Sequence, residues 1–153
     1  MGPLEINARV RGGVMKLADV YHDLSFSTGV LYELLKERNE TVNISHKSLP
    51  SWDEHARFVG SKPYAAWYLL LTENDRIGAI YLTKTNEIGV FIFKQHHGSG
   101  FGSLAVRELM GIHPRKRYLA NINPLNERSA RMFRKLGFGH IQDVYEKVGC
   151  GEG

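Results

Sequence analysis

A glycine-rich stretch between an apolar run and a helical pattern constrains this chain more than any other feature. The stretch covers Gln95 to Gly102, and it follows the apolar run Ile88 to Phe93. A strand that turns through glycines into a helix leaves backbone N–H groups without intrahelical partners, at the end where the helix dipole is positive. Glycine also lets the main chain approach a ligand closely. The pattern predicts a site for a phosphate-bearing ligand, with an ordinary flexible turn as the competing interpretation.

The spacing of these glycines excludes two common nucleotide loops. The P-loop needs a lysine directly after its last glycine, and the chain has none there. A dinucleotide pattern starting at Gly98 would need Gly or Ala where Ser103 stands, and it would lie early in a βαβ unit. The phosphate-bearing ligand is therefore not one that is bound by either of these two loop types.

The order of apolar patterns and breakers predicts a single α+β domain. At 153 residues the chain has room for one domain with a substantial core. We expect residues 1–13 to form a weakly ordered extension, 14–148 the domain and 149–153 a flexible tail. The predicted elements are strand 14–20, helix 26–38, a helix from the capping box at Ser51 to Val59 or Gly60, strands 65–72, 77–83 and 88–93, helix 103–111, strand 117–122, helix 126–136 and strand 141–148.

Composition and charge exclude several classes of protein. No apolar run is long enough to span a bilayer, and the first residues lack the layout of a signal peptide. The single cysteine, Cys150, has no intramolecular partner and no neighbouring base, so we expect a reducing cytoplasm and no thiol chemistry. The net charge of +4 is modest and does not require nucleic acid. We interpret the basic groups at 115–117 and 128–135 as a solvated turn and an exposed helix face.

A second distinctive segment opens with Asn126-Glu-Arg-Ser129 and closes with Leu136-Gly-Phe138. Together with the glycine loop it resembles the GNAT superfamily of acyl-CoA-dependent N-acetyltransferases, over roughly residues 65–148. In that family a Gln/Arg-x-x-Gly-x-Gly/Ala loop follows the fourth strand, and the matching window here runs from His97 to Gly102, with His97 in the Gln/Arg place. The family's later helix reads Asn-x-x-Ala/Ser before Gly-Phe, and the matching residues are Asn126, Ser129, Met132, Phe133, Gly137 and Phe138.

The resemblance implies a GNAT-like fold, of mixed α/β character, in which helices flank a central mixed, mostly antiparallel, splayed sheet. It also implies acetyl-CoA as co-substrate and no metal. The pyrophosphate would lie on the loop and helix start, and pantetheine amides would pair with the open edge of the strand before the loop. The cofactor-binding residues implied are Val90, Phe91, Ile92, His97, Gly98, Ser99, Gly100, Phe101, Gly102, Ser103, Asn126, Ser129 and Phe133.

Acyl transfer to an amine also needs proton movements, because an alkylamine is almost fully protonated at neutral pH. Glu87 is the candidate base, since related enzymes often carry a carboxylate near that place; an ordinary exposed strand-start residue is the alternative. The family's usual acid is a tyrosine in the later helix, where this chain has Phe133. Tyr145 on the last strand or Tyr81 on the hairpin are substitutes, although each is also a typical core or rim aromatic.

The helical region before the hairpin caps the acceptor side in the family. His46, Trp52 and Tyr64 there, with Tyr81, are candidate substrate-binding residues; packing roles for Trp52 and Tyr64 are the alternative. The adjacent pair His96 and His97 has no cysteine or carboxylate at zinc spacing, which favours a contact to pyrophosphate over a metal.

The favoured function is direct transfer of an acetyl group from acetyl-CoA to a primary amine within a ternary complex. The acceptor is a small amine, an amino sugar or a protein amine. Two alternatives stay open. One is a non-catalytic acyl-CoA sensor, which Phe133 favours. The other is an enzyme acting on a nucleic-acid-borne amine such as aminoacyl-tRNA, for which the net charge is low. A membrane partner is not expected, and a homodimer is compatible with the sequence.

Overall fold

A five-stranded antiparallel meander forms the centre of the molecule. The computed structural model describes residues 5–10, 13–41 and 48–151, and the side chains of 14–38 and 48–151. The strands are β1 (Glu5–Val10), β2 (Gly13–Asp19), β3 (Ala66–Leu71), β4 (Arg76–Leu82) and β5 (Ile88–Ile92), and they lie in that order across the sheet. The GNAT-like fold class predicted from the sequence is confirmed.

Within the described residues, four α-helices cover the two faces of this sheet. They are α1 (Leu24–Thr41), α2 (Trp52–Gly60), α3 (Phe101–Ile112) and α4 (Glu127–Lys135). One buried cluster joins the sheet to α1 and α2 through residues such as Leu34, Val59 and Trp67. The other joins it to α3 and α4 through residues such as Val106 and Phe133. The strand before the glycine loop is therefore held from both sides.

Helix boundaries follow from the capping residues. Ser51 accepts a hydrogen bond from the Glu54 N–H at 3.2 Å, and its hydroxyl lies 3.1 Å from the Glu54 carboxylate, as the predicted capping box requires. Helix α4 begins after Asn126, whose side chain accepts from the Ser129 N–H at 3.1 Å. It ends at Lys135, and Gly137, which follows the C-cap residue Leu136, has φ of +97°. The two helices that flank the predicted site regions are thus fixed by local sequence.

Three parts of the sequence prediction were wrong. Residues 5–10 were expected in a weakly ordered extension, yet Glu5 pairs with Ala18 and Val10 with Gly13 as β1. The predicted strand 117–122 contributes a single bridge at Leu119. The predicted closing strand 141–148, which carries Tyr145, lies outside the sheet and is exposed along its length. Segment 117–122 meets β5 only at Leu119, and segment 141–148 pairs with no strand of the described residues, although the outer edge of β5 is unpaired beyond that bridge.

Candidate active site

The edge of β5 that faces away from β4 is open along most of its length. At its beginning, Glu87 forms a parallel bridge with Leu119. The Ile88 N–H donates to the Leu119 carbonyl at 2.7 Å, and the Leu119 N–H donates to the Asn86 carbonyl at 2.9 Å. In the described part of the chain no further bridge follows, and Pro124 cannot donate to a ladder. Pairing between the two segments stops at this point, which agrees with the splay that the family resemblance implies.

Strand register decides which backbone groups of β5 face the gap. The Phe93 N–H donates to the Ile77 carbonyl at 2.9 Å, towards β4, whereas the Ile88 N–H points to Leu119. Because direction alternates in an antiparallel pair, the backbone of Phe91 also serves the β4 ladder, while Val90 and Ile92 face the gap. The prediction that all three supply groups to a ligand is therefore corrected for the Phe91 backbone.

The phenylalanine ring of residue 91 lies on the α1–α2 side of the sheet. The Arg38 guanidinium lies 3.5 Å from the centroid of that ring. This is a cation–π contact, and it places a cation of α1 beside the strand that borders the gap. The sequence analysis did not select Arg38, because nothing in the local pattern of α1 distinguishes it from other helical arginines.

The glycine loop continues directly from the open edge. Gly98 and Gly100 have φ of +83° and +82°, and a Cβ added at either would meet no atom within 4 Å. Both positions therefore require glycine for conformation and border open space. Gly100 is the N-cap of α3, so the N–H groups of Phe101, Gly102 and Ser103 have no partner earlier in the helix. This arrangement fits an anion such as a pyrophosphate.

Other residues of the loop have packing roles. Phe101 is buried and belongs to the core. A Cβ on Gly102 would lie 3.0 Å from the Met132 sulfur, so this glycine permits α3 to approach α4. The His97 Nε2 lies 2.8 Å from the Ile92 carbonyl, which ties the loop to the end of β5, and Ser99 is exposed. His97 thus borders the gap from the loop side.

His96 differs from its neighbour. Its ring packs edge-on against Phe101 at 5.9 Å, and its Nε2 is buried without a hydrogen-bond partner. Among the residues that the structure describes, no three His, Cys, Asp or Glu side chains converge on a common point.

The α4 residues named by the sequence motif serve the fold. Asn126 and Ser129 form the helix cap described above, and Phe133 is buried against Phe138, with ring centroids 5.0 Å apart. Phe133 therefore fills core volume where the family's tyrosine would stand. Contacts of these three residues with coenzyme A stay a prediction.

Glu87 lies where the gap begins. Its N–H donates to the Thr83 hydroxyl at 2.9 Å, and its Oε1 accepts from the Asn121 Nδ2 at 3.1 Å. Tyr81, on β4, leans over Gly89 so closely that a Cβ there would overlap its ring. Alternation along β5 places Glu87 and Gly89 on the same face as Phe91. The candidate base and Tyr81 are therefore neighbours.

Tyr64 completes this aromatic group. Its ring is stacked on Tyr81, with centroids 4.0 Å apart and planes at 5°, and Trp67 packs against it at 4.7 Å. Burial and the Tyr81 hydroxyl raise the pKa of Tyr64 to about 12. Burial also raises the pKa of Tyr81, although the Arg38 charge opposes this. Both hydroxyls are protonated at neutral pH and can donate hydrogen bonds.

Trp52 and Tyr145 lie elsewhere. Trp52 is half exposed and contacts Tyr32 and His55, with ring centroids at 5.3 and 6.1 Å, which packs α2 on α1. Tyr145 is 90% exposed in a segment outside the sheet, so the predicted position on a closing strand was wrong and its role as an acid loses that basis. His46 lies outside the described residues.

Comparisons with known proteins agree with this geometry. The sequence model of the acetyltransferase (GNAT) domain matches residues 30–139. No curated protein matches at a significant level. Three acetyltransferases are among the solved structures that share the fold. The ribosomal protein L7/L12 α-N-acetyltransferase RimL, in complex with coenzyme A, is 19% identical over 87% of this chain and 84% of its own, with a TM-score of 0.66.

Two further acetyltransferases have the same fold. The microcin C7 self-immunity acetyltransferase MccE, in complex with acetyl-CoA and AMP, is 14% identical over 82% of each chain, with a TM-score of 0.61. The spermidine/spermine N-acetyltransferase SpeG from Vibrio cholerae, in mutant forms, is 17% identical over 82% of this chain and 79% of its own, with a TM-score of 0.60. At these identities the likeness shows the fold.

The family match covers most of the chain, and the chain therefore belongs to the GNAT acetyltransferase family. It is an acetyl-CoA-dependent N-acetyltransferase. Among the described residues, no helix combines the length and the apolar character needed to cross a membrane.

Proposed function

We propose that this enzyme acetylates a primary amine by direct attack on acetyl-CoA bound in the gap beside β5. One observation carries the proposal: the open edge of β5 begins at a carboxylate and ends in a glycine loop that opens a helix. Val90 and Ile92 face the gap with their backbone N–H groups, and Gly100 leads into the free N–H groups of α3. The pantetheine amides of acetyl-CoA would accept from the β5 N–H groups, and its pyrophosphate would accept from the N–H groups of α3. The two parts of the cofactor thus follow the same order as the two sets of donors.

The cofactor supplies an activated acetyl group as a thioester. The residues of this chain then have two tasks. The Val90 or Ile92 N–H donates to the carbonyl oxygen on which negative charge develops. Glu87 accepts the proton of the attacking ammonium, directly or through water, so that a neutral amine is available. The Tyr81 phenol is protonated and lies beside Gly89. It donates a hydrogen bond to the amine substrate or to the departing thiolate.

The acceptor approaches from the α1–α2 side of the sheet. Tyr64, Tyr81 and the Arg38 guanidinium line this side next to Glu87. A contact between Trp52 and the acceptor stays a prediction, because the ring of Trp52 packs against residues of α1 and α2. A protein amine, a small amine and an amino sugar all suit the chemistry. Cys150 is exposed and free, which supports the proposal of a reducing cytoplasm.

Calorimetric titration with acetyl-CoA tests the cofactor site. The informative variant is Gly100→Asn, because asparagine tolerates the left-handed conformation yet adds a side chain to the cradle. We expect affinity to fall by roughly tenfold or more, since each 1.4 kcal/mol lost is a factor of ten, with only a small loss of stability from the left-handed backbone at this position. Gly139→Asn is the matched control, at an exposed position where an added Cβ also meets no atom.

Turnover is then measured as free thiol released across a panel of primary amines. Wild type that binds no CoA ester would overturn the proposal. Binding without thiol release on any of these amines would contradict the proposed primary-amine acceptor.

A further inference from the structure

We propose that Asn121 is a positioning residue that holds the Glu87 carboxylate at the mouth of the gap. The inference rests on the proposed function, because it assumes that Glu87 is the base. The Asn121 Nδ2 donates to the Glu87 Oε1 at 3.1 Å, although the two residues are 34 positions apart in the chain. This contact joins the two segments just where they splay.

The register places both side chains on one face. Glu87 bridges Leu119 in parallel, and paired residues of neighbouring strands point to the same side. Asn121 follows Leu119 by two positions and therefore returns to that side. Tyr118, Ala120 and Ile122 point the other way, since they pack against the α3–α4 core. Asn121 thus lies on the face that also carries Tyr81 and Gly89.

An amide suits this place for a chemical reason. It occupies one carboxylate oxygen and leaves Oε2 for the amine or a bridging water. It brings no charge, so the carboxylate keeps its ability to take up a proton, whereas a lysine or arginine would form an ion pair. The hydrogen bond also fixes the rotamer of the carboxylate.

The charged and titratable groups around the carboxylate come from three elements. Tyr81 approaches from β4 and interacts with Glu87 electrostatically. Arg38 of α1 lies beyond it, over Phe91. Arg115 is bonded to the Asn86 side chain at 3.1 Å, one residue before Glu87. Asn121 is the contact that substitution can remove without changing these charges.

The pH dependence of kcat/KM for the amine separates positioning from packing. We expect Asn121→Ala to lower kcat by about tenfold, because a misplaced Glu87 carboxylate is no longer aligned with the proton that it takes up. KM for acetyl-CoA should stay unchanged. Asn121→Asp should move the acidic limb of the pH profile to higher pH by about one unit or more, because two carboxylates this close share a proton.

Asn123→Asp is the matched control. It adds the same charge two positions along, and its side-chain oxygen can still accept from the Leu125 N–H, as Asn123 does at 2.8 Å. Its limb and its kcat should match wild type. If Asn121→Ala keeps the wild-type kcat, or if Asn121→Asp changes the melting temperature or kcat but not the limb, the positioning role is wrong.

Glu87→Gln distinguishes failure of this inference from failure of the proposed base. The glutamine keeps an acceptor for Asn121 but cannot take up the proton. If Glu87→Gln retains wild-type kcat, the assignment of the base fails and the inference fails with it. If Glu87→Gln loses roughly 100-fold or more while Asn121→Ala and Asn121→Asp behave as wild type, only the inference about Asn121 fails.

Discussion

The two faces of the sheet differ in chemistry although they share the same strands. The face under α3 and α4 is largely aliphatic, and Leu70, Ile80 and Leu82 on it are fully buried. The face under α1 and α2 carries partly exposed aromatic rings with hydroxyl groups, Tyr64 and Tyr81 among them. Close packing of aliphatic groups stabilises a fold, whereas half-buried phenols can still meet a ligand. We infer that the first face fixes the shape of the gap and the second meets the acceptor.

The largest expected effect is on stability and concerns the aliphatic face. Leu109 of α3 is fully buried there, and Leu109→Ala should lower the free energy of unfolding by about 2–5 kcal/mol. Leu125→Ala, at a position 86% exposed, should change it by less than about 0.5 kcal/mol. Denaturant unfolding measures both. The assignment of separate roles to the two faces would be wrong if Leu109→Ala lowered kcat at a temperature where the variant is still folded.

A smaller effect is expected at Gly89, on the aromatic face. Gly89→Ala would force Tyr81 from its place beside Glu87, because the added methyl overlaps the ring. We expect kcat to fall by roughly tenfold and stability by about 1–3 kcal/mol. The affinity for acetyl-CoA, held by the opposite edge and the loop, should be retained.

Gly111→Ala in α3 controls for loss of a glycine. An alanine Cβ there meets no atom within 4 Å, so stability should stay equal or rise by about 0.4–1 kcal/mol. Equal kinetics for Gly89→Ala and Gly111→Ala would show that the position of Tyr81 does not matter for turnover.

The smallest effect concerns the junction of α1 and α2 below the aromatic face. His55 is buried, and its Nε2 lies 3.1 Å from the Thr28 carbonyl. Burial lowers the pKa of His55, an effect that the bond to Thr28 partly opposes. The folded state therefore resists protonation, and stability is complete above the pKa of the unfolded histidine, about 6.5, and declines as the pH falls through the lower folded value. The slope approaches at most about 1.4 kcal/mol per pH unit.

Urea titrations at several pH values compare wild type with His55→Gln, which keeps an N–H donor but does not titrate. Burial and Arg115 also lower the pKa of His113, and this second histidine contributes equally to both proteins. The wild-type curve should be the steeper one below the unfolded pKa. Parallel curves would contradict a buried neutral His55.

Local signals in the sequence predicted much of the fold. Ser51 and Asn126 cap helices because their side chains accept from an N–H three residues ahead, a relation contained within one turn. Gly100 and Gly137 adopt positive φ at the helix ends where glycine was expected. The glycine loop was recognised for the same reason, since its geometry depends on neighbours in the chain.

Long-range pairing explains the errors. Alternation at 141–148 resembles a strand, but alternation cannot say whether a partner edge is free. Residues 5–10 also alternate, with Ile6, Ala8 and Val10, and the following Gly12-Gly13 was a hairpin signal that went unused. Asn121 could not have been found, because its contact with Glu87 depends on a register set by the fold rather than by spacing.

The pantetheine arm of acetyl-CoA can pair with β5 without displacing another strand. Past the bridge between Glu87 and Leu119, no further bridge covers this edge in the described residues, so no ladder has to be broken before a ligand amide can pair with Val90. Association is then not weakened by the free energy of rearranging a sheet. We expect this site to behave as a preformed groove, whose association rate is limited by diffusion and orientation rather than by an opening step of the protein.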